Sequence, residues 1–308
     1  MGKIAFMFPG QGAQYIGMGQ DFYEQFEECR EVFETATKLL GFSVEDLCFK
    51  ENEQLHITEY TQAAMVTVST AILRKVQSLG IKPDKTIGLS LGEYNALIAS
   101  DVMSFEDAVQ VVRKRGILMQ NAVPVGLGAM SAVLGAKKEQ IEEVCANTDG
   151  IVSIANYNCP GQIVISGEKE AVEKAGETLK AQGIKRVIPL NVSGPFHSLM
   201  LEKAGKELEQ VLETVKVNSP KVPYISNVTA KEVVNAEDVK PLLAEQVYSS
   251  VRFEQSIEEL LAQGVTTFIE IGAGKALSGF VKKVDRSVTV INIEKVEDLE
   301  KLKEIGLC

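Results

Sequence analysis

Apolar positions along the chain switch between two spacings, and the switches mark the elements. Lys3–Phe8 is a short, mostly apolar run that stops at Pro9-Gly10, which predicts a buried strand followed by a Gly-rich loop. From 20 to 40, Phe22, Phe26, Val32, Phe33 and Leu39-Leu40 recur at helical spacing, with Gly41 as the stop. A second helix fits 60–79 and ends at Gly80; Lys85–Leu89 is strand-like; Glu93–Ala99 and 105–121 are helical. Near Pro124 the character changes. The next block reads strand (Ala129–Leu134), helix (Lys137–Cys145), strand (Val152–Asn156), strand (Gln162–Ser166), helix (Glu168–Ala181) and strand (Lys185–Leu190). That β-α-β-β-α-β order is the ferredoxin-like split unit. Alternation then resumes: a helix at 198–214, a strand at Tyr224–Ser226, helices near 238–247 and 253–263, a strand at Thr267–Ile271, a helix at 275–284 and a strand at Val288–Ile293. Strands alternating with helices imply a mostly parallel sheet covered on both faces. The expected architecture is therefore an α/β domain over 1–125 and 194–308, interrupted by a ferredoxin-like subdomain at 126–193.

Composition narrows the function classes. With 45% apolar and 24% charged residues, the 308-residue chain is ordinary globular material, which excludes a disordered or collagen-like one. Acidic residues outnumber basic ones 42 to 32, so nucleic acid is an unexpected partner. No apolar run approaches the ~20 residues that span a bilayer. The start, Met1-Gly2-Lys3-Ile4-Ala5-Phe6, lacks the apolar core and cleavage site of a signal peptide, and Phe6 breaks the myristoylation pattern. The five cysteines are odd in number and contain no Cys-x-x-Cys, which argues against a disulfide scaffold and for a reducing cytoplasm. Two histidines, His56 and His197, leave little from which to build a zinc or iron site, so no metal is expected.

Candidate chemistry concentrates in three loops. Gly88-Leu89-Ser90-Leu91-Gly92 is G-x-S-x-G with a strand before it and a helix after it. Such a turn lifts a Ser hydroxyl clear of the sheet, and the Leu91 N–H and the helix dipole can meet an oxyanion. His197 lies in Ser193-Gly194-Pro195-Phe196-His197-Ser198, where the chain returns from the inserted block, and it is favoured over His56 as the base. Gly10-Gln11-Gly12-Ala13-Gln14 can supply a second oxyanion N–H, through Gln11. It is not a dinucleotide loop, because the third glycine position is Tyr15. Gly272-Ala273-Gly274-Lys275 lacks the spacer and the Ser/Thr of a phosphate loop and reads as a strand-to-helix turn. Arg113-Lys114-Arg115-Gly116 lies late in a helix; periodicity alone does not choose among its three cations.

Taken in order, Gly10–Gln14, Gly88–Glu93, Arg115-Gly116, Asn156–Gln162, Gly194–Ser198 and Glu270–Lys275 resemble the malonyl-CoA:acyl carrier protein transacylase family of bacterial fatty-acid synthesis, over nearly the whole chain. The resemblance implies an α/β-hydrolase-like core with a ferredoxin-like insert, a monomer, and no bound cofactor. It implies malonyl-CoA as substrate and the phosphopantetheine thiol of acyl carrier protein as acceptor, in a ping-pong reaction through a malonyl ester on Ser90. His197 is then the base, oriented by a carbonyl from the segment containing Gln246. Gln11 and Leu91 form the oxyanion hole, Arg115 pairs with the malonyl carboxylate, Gln62 lines the pocket, and Phe196 crowds out branched acyl groups. One position departs: many members have His before the nucleophile, where this chain has Leu89. An acidic carrier meeting an acidic enzyme calls for a local basic patch, for which Lys185-Arg186 and Lys282-Lys283 with Arg286 are candidates. A serine esterase or thioesterase on the same turn, a carrier-binding scaffold and a polyketide acyltransferase are the competing readings.

Overall fold

The computed structural model describes residues 2–192 and 194–307. Met1 of the start, Ser193 of the His197 loop and Cys308 lie outside the described residues. The strands are β1 (Lys3–Phe8), β2 (Lys85–Gly88), β3 (Gly128–Leu134), β4 (Val152–Cys159), β5 (Gln162–Glu168), β6 (Arg186–Pro189), β7 (Tyr224–Ile225), β8 (Glu232–Val233), β9 (Val251–Arg252), β10 (Val265–Ile271) and β11 (Thr289–Ile293). They form two sheets in a mixed α/β arrangement.

The larger sheet has the order β11-β10-β1-β2-β7-β8, parallel throughout except for the β7–β8 edge pair. Burial along β1 explains its unbroken apolar run. Phe6 and Phe8 enter one apolar cluster, while Ala5 and Met7 enter another. Successive residues of a strand point to opposite faces, so a central strand covered on both sides needs apolar residues at every position. Helix Thr58–Ser78 packs on the first side through Ala64, Val68 and Ile72; helix Phe253–Ala262 contributes Phe253, Ile257 and Leu260 to the second.

The smaller sheet has the order β6-β3-β5-β4-β9, antiparallel across its first four strands. Its helices, Lys138–Ala146 and Lys169–Ala181, close a separate core around Val133, Ile141, Ile154, Ile165, Val172 and Leu179. Its fifth strand, β9, comes from outside the 126–193 block and runs parallel to β4.

Several elements depart from their predicted limits. The 20–40 helix is two helices, Gln20–Gln25 and Glu27–Leu40, divided at an extended Phe26 (φ −127°, ψ 126°). The break lets the Phe26 ring lie on Phe22, at 5.9 Å between centroids, with Lys75 Nζ 4.0 Å from the Phe26 centroid. Neither Gly nor Pro marks it. The 198–214 helix starts as a 3-10 turn at Leu199–Leu201 and becomes α-helical at Glu202–Glu213. Strands β4 and β5 outrun their predicted ends at Asn156 and Ser166, and β2 stops at Gly88, one residue short of Leu89. Helix Val44–Phe49, capped by Ser43 Oγ accepting from the Asp46 N–H at 3.0 Å, was not anticipated.

The Gly272–Lys275 segment is a strand-to-helix turn, and the structure shows what fills it. Buried Glu270, on β10, accepts from the Leu277 and Ser278 N–H groups at the start of helix Ala276–Val284, at 3.1 and 2.8 Å. A carboxylate from the chain itself thus takes the helix N-terminus where an anion would bind.

The site-bearing loops meet because β1 and β2 are parallel neighbours with Phe8 opposite Gly88, so both leave the sheet at the same edge. Helix Gly92–Ala99 begins directly against them. A Cβ on Gly88 would lie 1.9 Å from the Gly92 carbonyl carbon, and one on Gly92 would lie 2.1 Å from the Phe8 oxygen. Both obstacles are backbone and cannot swing away. Gly92→Ala is therefore expected to lower the unfolding free energy by about 2 kcal/mol or more. Urea denaturation checks this; an unchanged midpoint would show that the backbone has room to move.

Candidate active site

Ser90 occupies the turn between β2 and helix Gly92–Ala99 with φ +50°, a left-handed conformation that costs a non-glycine residue about 1–3 kcal/mol. Buried Asn227, just beyond β7, holds it there. Its Oδ1 accepts from the Ser90 N–H at 2.6 Å, and its Nδ2 donates to the Gly88 carbonyl at 2.7 Å. Because β7 is the parallel neighbour of β2, an amide at its end reaches both sides of the turn.

His197 is left-handed too, with φ +58°, and its N–H donates to the Val247 carbonyl at 3.2 Å. Its Nε2 lies 2.7 Å from Ser90 Oγ and its Nδ1 lies 2.7 Å from the Gln246 carbonyl oxygen. A carbonyl only accepts, so Nδ1 carries a proton and Nε2 is free to accept from the hydroxyl. Burial, and then the charge of Arg115, push the imidazole pKa down to about 4, although backbone groups of Gln246 and Ser249 favour its charged form. It is neutral at pH 7 and can take a proton.

Of the three adjacent cations, Arg115 alone faces inward. Lys114 is exposed, and Arg113 pairs with Glu59 at 3.5 Å beside the Phe42 ring. Arg115 is 1% exposed. Its Nη2 donates to Gln246 Oε1 at 2.9 Å and to Ser90 Oγ at 3.3 Å, while Nε has no partner among the described residues. Neither partner is a carboxylate. A buried guanidinium held only by neutral groups can receive an anion.

These groups open on a cavity of about 580 Å³. Gln11, Leu91, Gln62 and Phe196 line it with Ser90, Arg115 and His197, and Gln246 lies fully buried behind. The Gln11 and Leu91 N–H groups make no hydrogen bond to another described residue. Gln62 Nε2 lies 3.5 Å from Gln11 Oε1, and Gln62 Oε1 is buried without a partner among the described residues. Leu89 also lines the cavity while packing toward the Val251–Phe253 cluster. Residues of the smaller sheet, including Asn156, Asn158 and Val164, form the opposite wall. His56, set aside on sequence, is exposed on the cavity rim. Among the described residues, no three His, Cys, Asp or Glu side chains could hold a metal ion.

Sequence reasoning missed Asn227 and Glu93. Asn227 follows a two-residue strand with no readable period, and its partners lie over 130 residues away. Glu93 was within reach, three residues after Ser90, but an acidic residue in a helix's first turn ordinarily reads as solvated. Here it is fully buried. Burial pushes its carboxyl up to about 7, against the opposing pull of Gln246, the Asn227 N–H and the Arg115 charge.

Residues 5–303 match the family described as the acyl transferase domain. The malonyl CoA-acyl carrier protein transacylase of Bacillus subtilis is 49% identical over 304 residues, covering 97% of this chain and 96% of its own. That of Staphylococcus aureus is 44% identical, covering 97% and 98%. Among solved structures, the transacylase from Clostridium perfringens superposes with a TM-score of 0.95 at 48% identity, covering 99% of this chain and 98% of its own. A malonyl-transacylase in complex with a type II PKS acyl-carrier protein gives 0.96 at 38% identity, covering 99% and 100%.

Glu93 generates a pH prediction. Its folded pKa of about 7 lies above the ordinary 4.5, so the folded chain binds the extra proton between these values. Stability from this group is present below pH 4.5 and is lost as pH rises through 7. Glu93→Gln removes that loss. Relative to wild type, its unfolding free energy should rise by on the order of 3 kcal/mol between pH 4.5 and 8. Denaturant titrations at several pH values measure the difference; parallel wild-type and variant curves would contradict the assignment.

Proposed function

This chain belongs to the acyl transferase domain family and is an acyltransferase, and on that premise we propose that it carries a malonyl group from malonyl-CoA to the phosphopantetheine thiol of acyl carrier protein, for fatty-acid synthesis. The observation that carries the reading is one hydroxyl, Ser90 Oγ, set between a neutral imidazole and a buried guanidinium that hydrogen-bonds to no carboxylate among the described residues.

The reaction runs through an ester. Ser90 Oγ attacks the thioester carbonyl as its proton passes to His197 Nε2. The N–H groups of Gln11 and Leu91 receive the oxyanion. The carbon–sulfur bond breaks, the CoA thiolate takes the proton from His197, and malonyl-Ser90 remains. The carrier's thiol then enters, gives its proton to His197 and attacks the ester; the returning proton restores Ser90. Throughout, Arg115 holds the malonyl carboxylate through paired N–H donors, a geometry that lysine lacks. Gln62 and Phe196 shape the acyl end of the cavity. The Gln246 carbonyl fixes the His197 tautomer with no acidic third member, and Leu89 in place of the family's frequent His takes no part in that contact.

We read 1–125 with 194–308 as an α/β-hydrolase-like unit, supported by the parallel β11-β10-β1-β2-β7 run. The antiparallel order β6-β3-β5-β4 supports a ferredoxin-like reading of 126–193. The cavity, lined by residues of both, is where the thioester and the carrier's thiol would enter. Lys185, Arg186, Lys282, Lys283 and Arg286 are exposed and remain the basic groups offered to an acidic carrier. Buried free thiols at Cys29, Cys48, Cys145 and Cys159 support a reducing cytoplasm, and the reading requires neither an oligomer, a membrane nor a nucleic acid.

Intact mass after brief exposure to malonyl-CoA should show a malonyl adduct on wild type and none on Ser90→Ala, discharged by holo acyl carrier protein. Release of free malonate without transfer would instead indicate a thioesterase. Arg115→Ala should lower kcat/KM for malonyl-CoA by about 100-fold or more while sparing acetyl-CoA, the loss expected for a charge-assisted pair. Steady-state comparison of the two thioesters tests it; intact malonyl preference would refute the role of Arg115.

A further inference from the structure

The proposed transfer makes no use of Glu93, yet this buried carboxylate touches the residue on which both His197 and Arg115 depend. Glu93 Oε2 accepts from Gln246 Nε2 at 2.6 Å and from the Asn227 N–H at 3.2 Å. Gln246 Nε2 also donates to the Ser90 carbonyl at 3.0 Å. The other end of the same amide, Oε1, accepts from Arg115 Nη2. The backbone carbonyl of Gln246 accepts from His197 Nδ1. Gln246 comes from helix Ala236–Gln246, whereas Glu93 sits on the helix that follows Ser90.

The two ends of the Gln246 amide are chemically unlike, so its orientation matters. A half-turn would aim its NH2 at the guanidinium, donor against donor. It would also aim its oxygen at the Glu93 carboxylate and the Ser90 carbonyl, acceptor against acceptor. In a water-excluded site neither mismatch is relieved by solvent. Arg115 has one other hydrogen bond, to Ser90 Oγ, and that hydroxyl must leave it to react. Gln246 Oε1 is thus the lasting hydrogen-bond partner that sets where the guanidinium sits.

We propose that Glu93 is a positioning residue for acyl selection: by locking the Gln246 amide in one orientation, it fixes the place at which Arg115 meets a carboxylate-bearing acyl group. The inference rests on the reading of Arg115 given above. Because Glu93 and Ser90 belong to one turn and helix, the lock also registers that place to the reacting hydroxyl.

The test compares acylation of Ser90 by malonyl-CoA and by acetyl-CoA in wild type, Glu93→Ala, Glu93→Gln, Gln246→Ala and the Glu93→Ala/Gln246→Ala double variant. Glu93→Ala should lower the malonyl-to-acetyl ratio of kcat/KM by about 10-fold, the effect of one lost buried hydrogen bond. Glu93→Gln keeps an acceptor oxygen for Gln246 and should restore most of the ratio. The double variant should be no worse than Gln246→Ala alone, since both changes cut one chain of contacts. Equal loss on both thioesters, no rescue by Gln, or multiplied losses in the double variant would each overturn the inference. If Glu93→Ala does not fold, Glu93→Met fills the space without an acceptor and must show the same drop in ratio. A wild-type enzyme without malonyl preference would overturn the reading of Arg115 and this inference with it; a preference untouched by the Glu93 variants would overturn the inference alone.

Discussion

One side-chain amide holds the site open. Asn227 spans the turn after β2, taking the Ser90 N–H and donating to the Gly88 carbonyl, and so stabilises a serine in a left-handed conformation. Without that clasp the turn would relax and withdraw the hydroxyl from the imidazole. The strain, about 1–3 kcal/mol, is comparable to what two buried hydrogen bonds contribute. Glycines at 88 and 92 remove the Cβ atoms that would force the turn apart, and the parallel pairing of β1 with β2 brings the Gln11 loop alongside. The hydroxyl, the imidazole beside it and the neighbouring N–H groups therefore take their positions from backbone geometry that a buried side-chain amide holds in place.

The second constraint is electrostatic. Arg115 is a cation out of water whose hydrogen-bond partners are two neutral oxygens. Removing a charge from solvent costs several kcal/mol unless it is compensated. Glu93 stands behind Gln246 and, as it ionises near pH 7, offsets part of that charge from a distance without pairing with the guanidinium directly. The same positive field, added to burial, keeps His197 neutral at ordinary pH, so the group proposed to receive an anionic acyl chain also keeps the proposed base unprotonated. Both effects depend on the site being dry, because water would screen them.

The cavity is lined from two differently built units. The parallel sheet brings loops to one edge, and the smaller sheet closes over them with Asn156, Asn158 and Val164. β9 ties the two together: it belongs to the chain after the block, yet it completes the smaller sheet directly beyond Gln246 and before Phe253. The chain just after helix Ala236–Gln246, whose last carbonyl meets His197 Nδ1, is thereby anchored to the smaller sheet.

Local chemistry was legible in the chain itself. Apolar periodicity marked nearly every long element, and G-x-S-x-G between strand and helix marked Ser90, because both depend on neighbours a few residues apart. What depends on distant neighbours was not legible. The break at Phe26 follows from a ring and a lysine 49 residues on. The choice of Arg115 over Arg113 and Lys114 was made by which face of their helix meets the cavity. Asn227, Glu93 and the return of β9 act across more than 90 residues of sequence, through hydrogen bonds that carry no local period. The sequence by itself determined most of the long strands and helices and where the candidate nucleophile, Ser90, stands between them. Only the tertiary structure decided which buried polar groups surround that serine, since their pairing is a property of the packed interior and not of any stretch of chain.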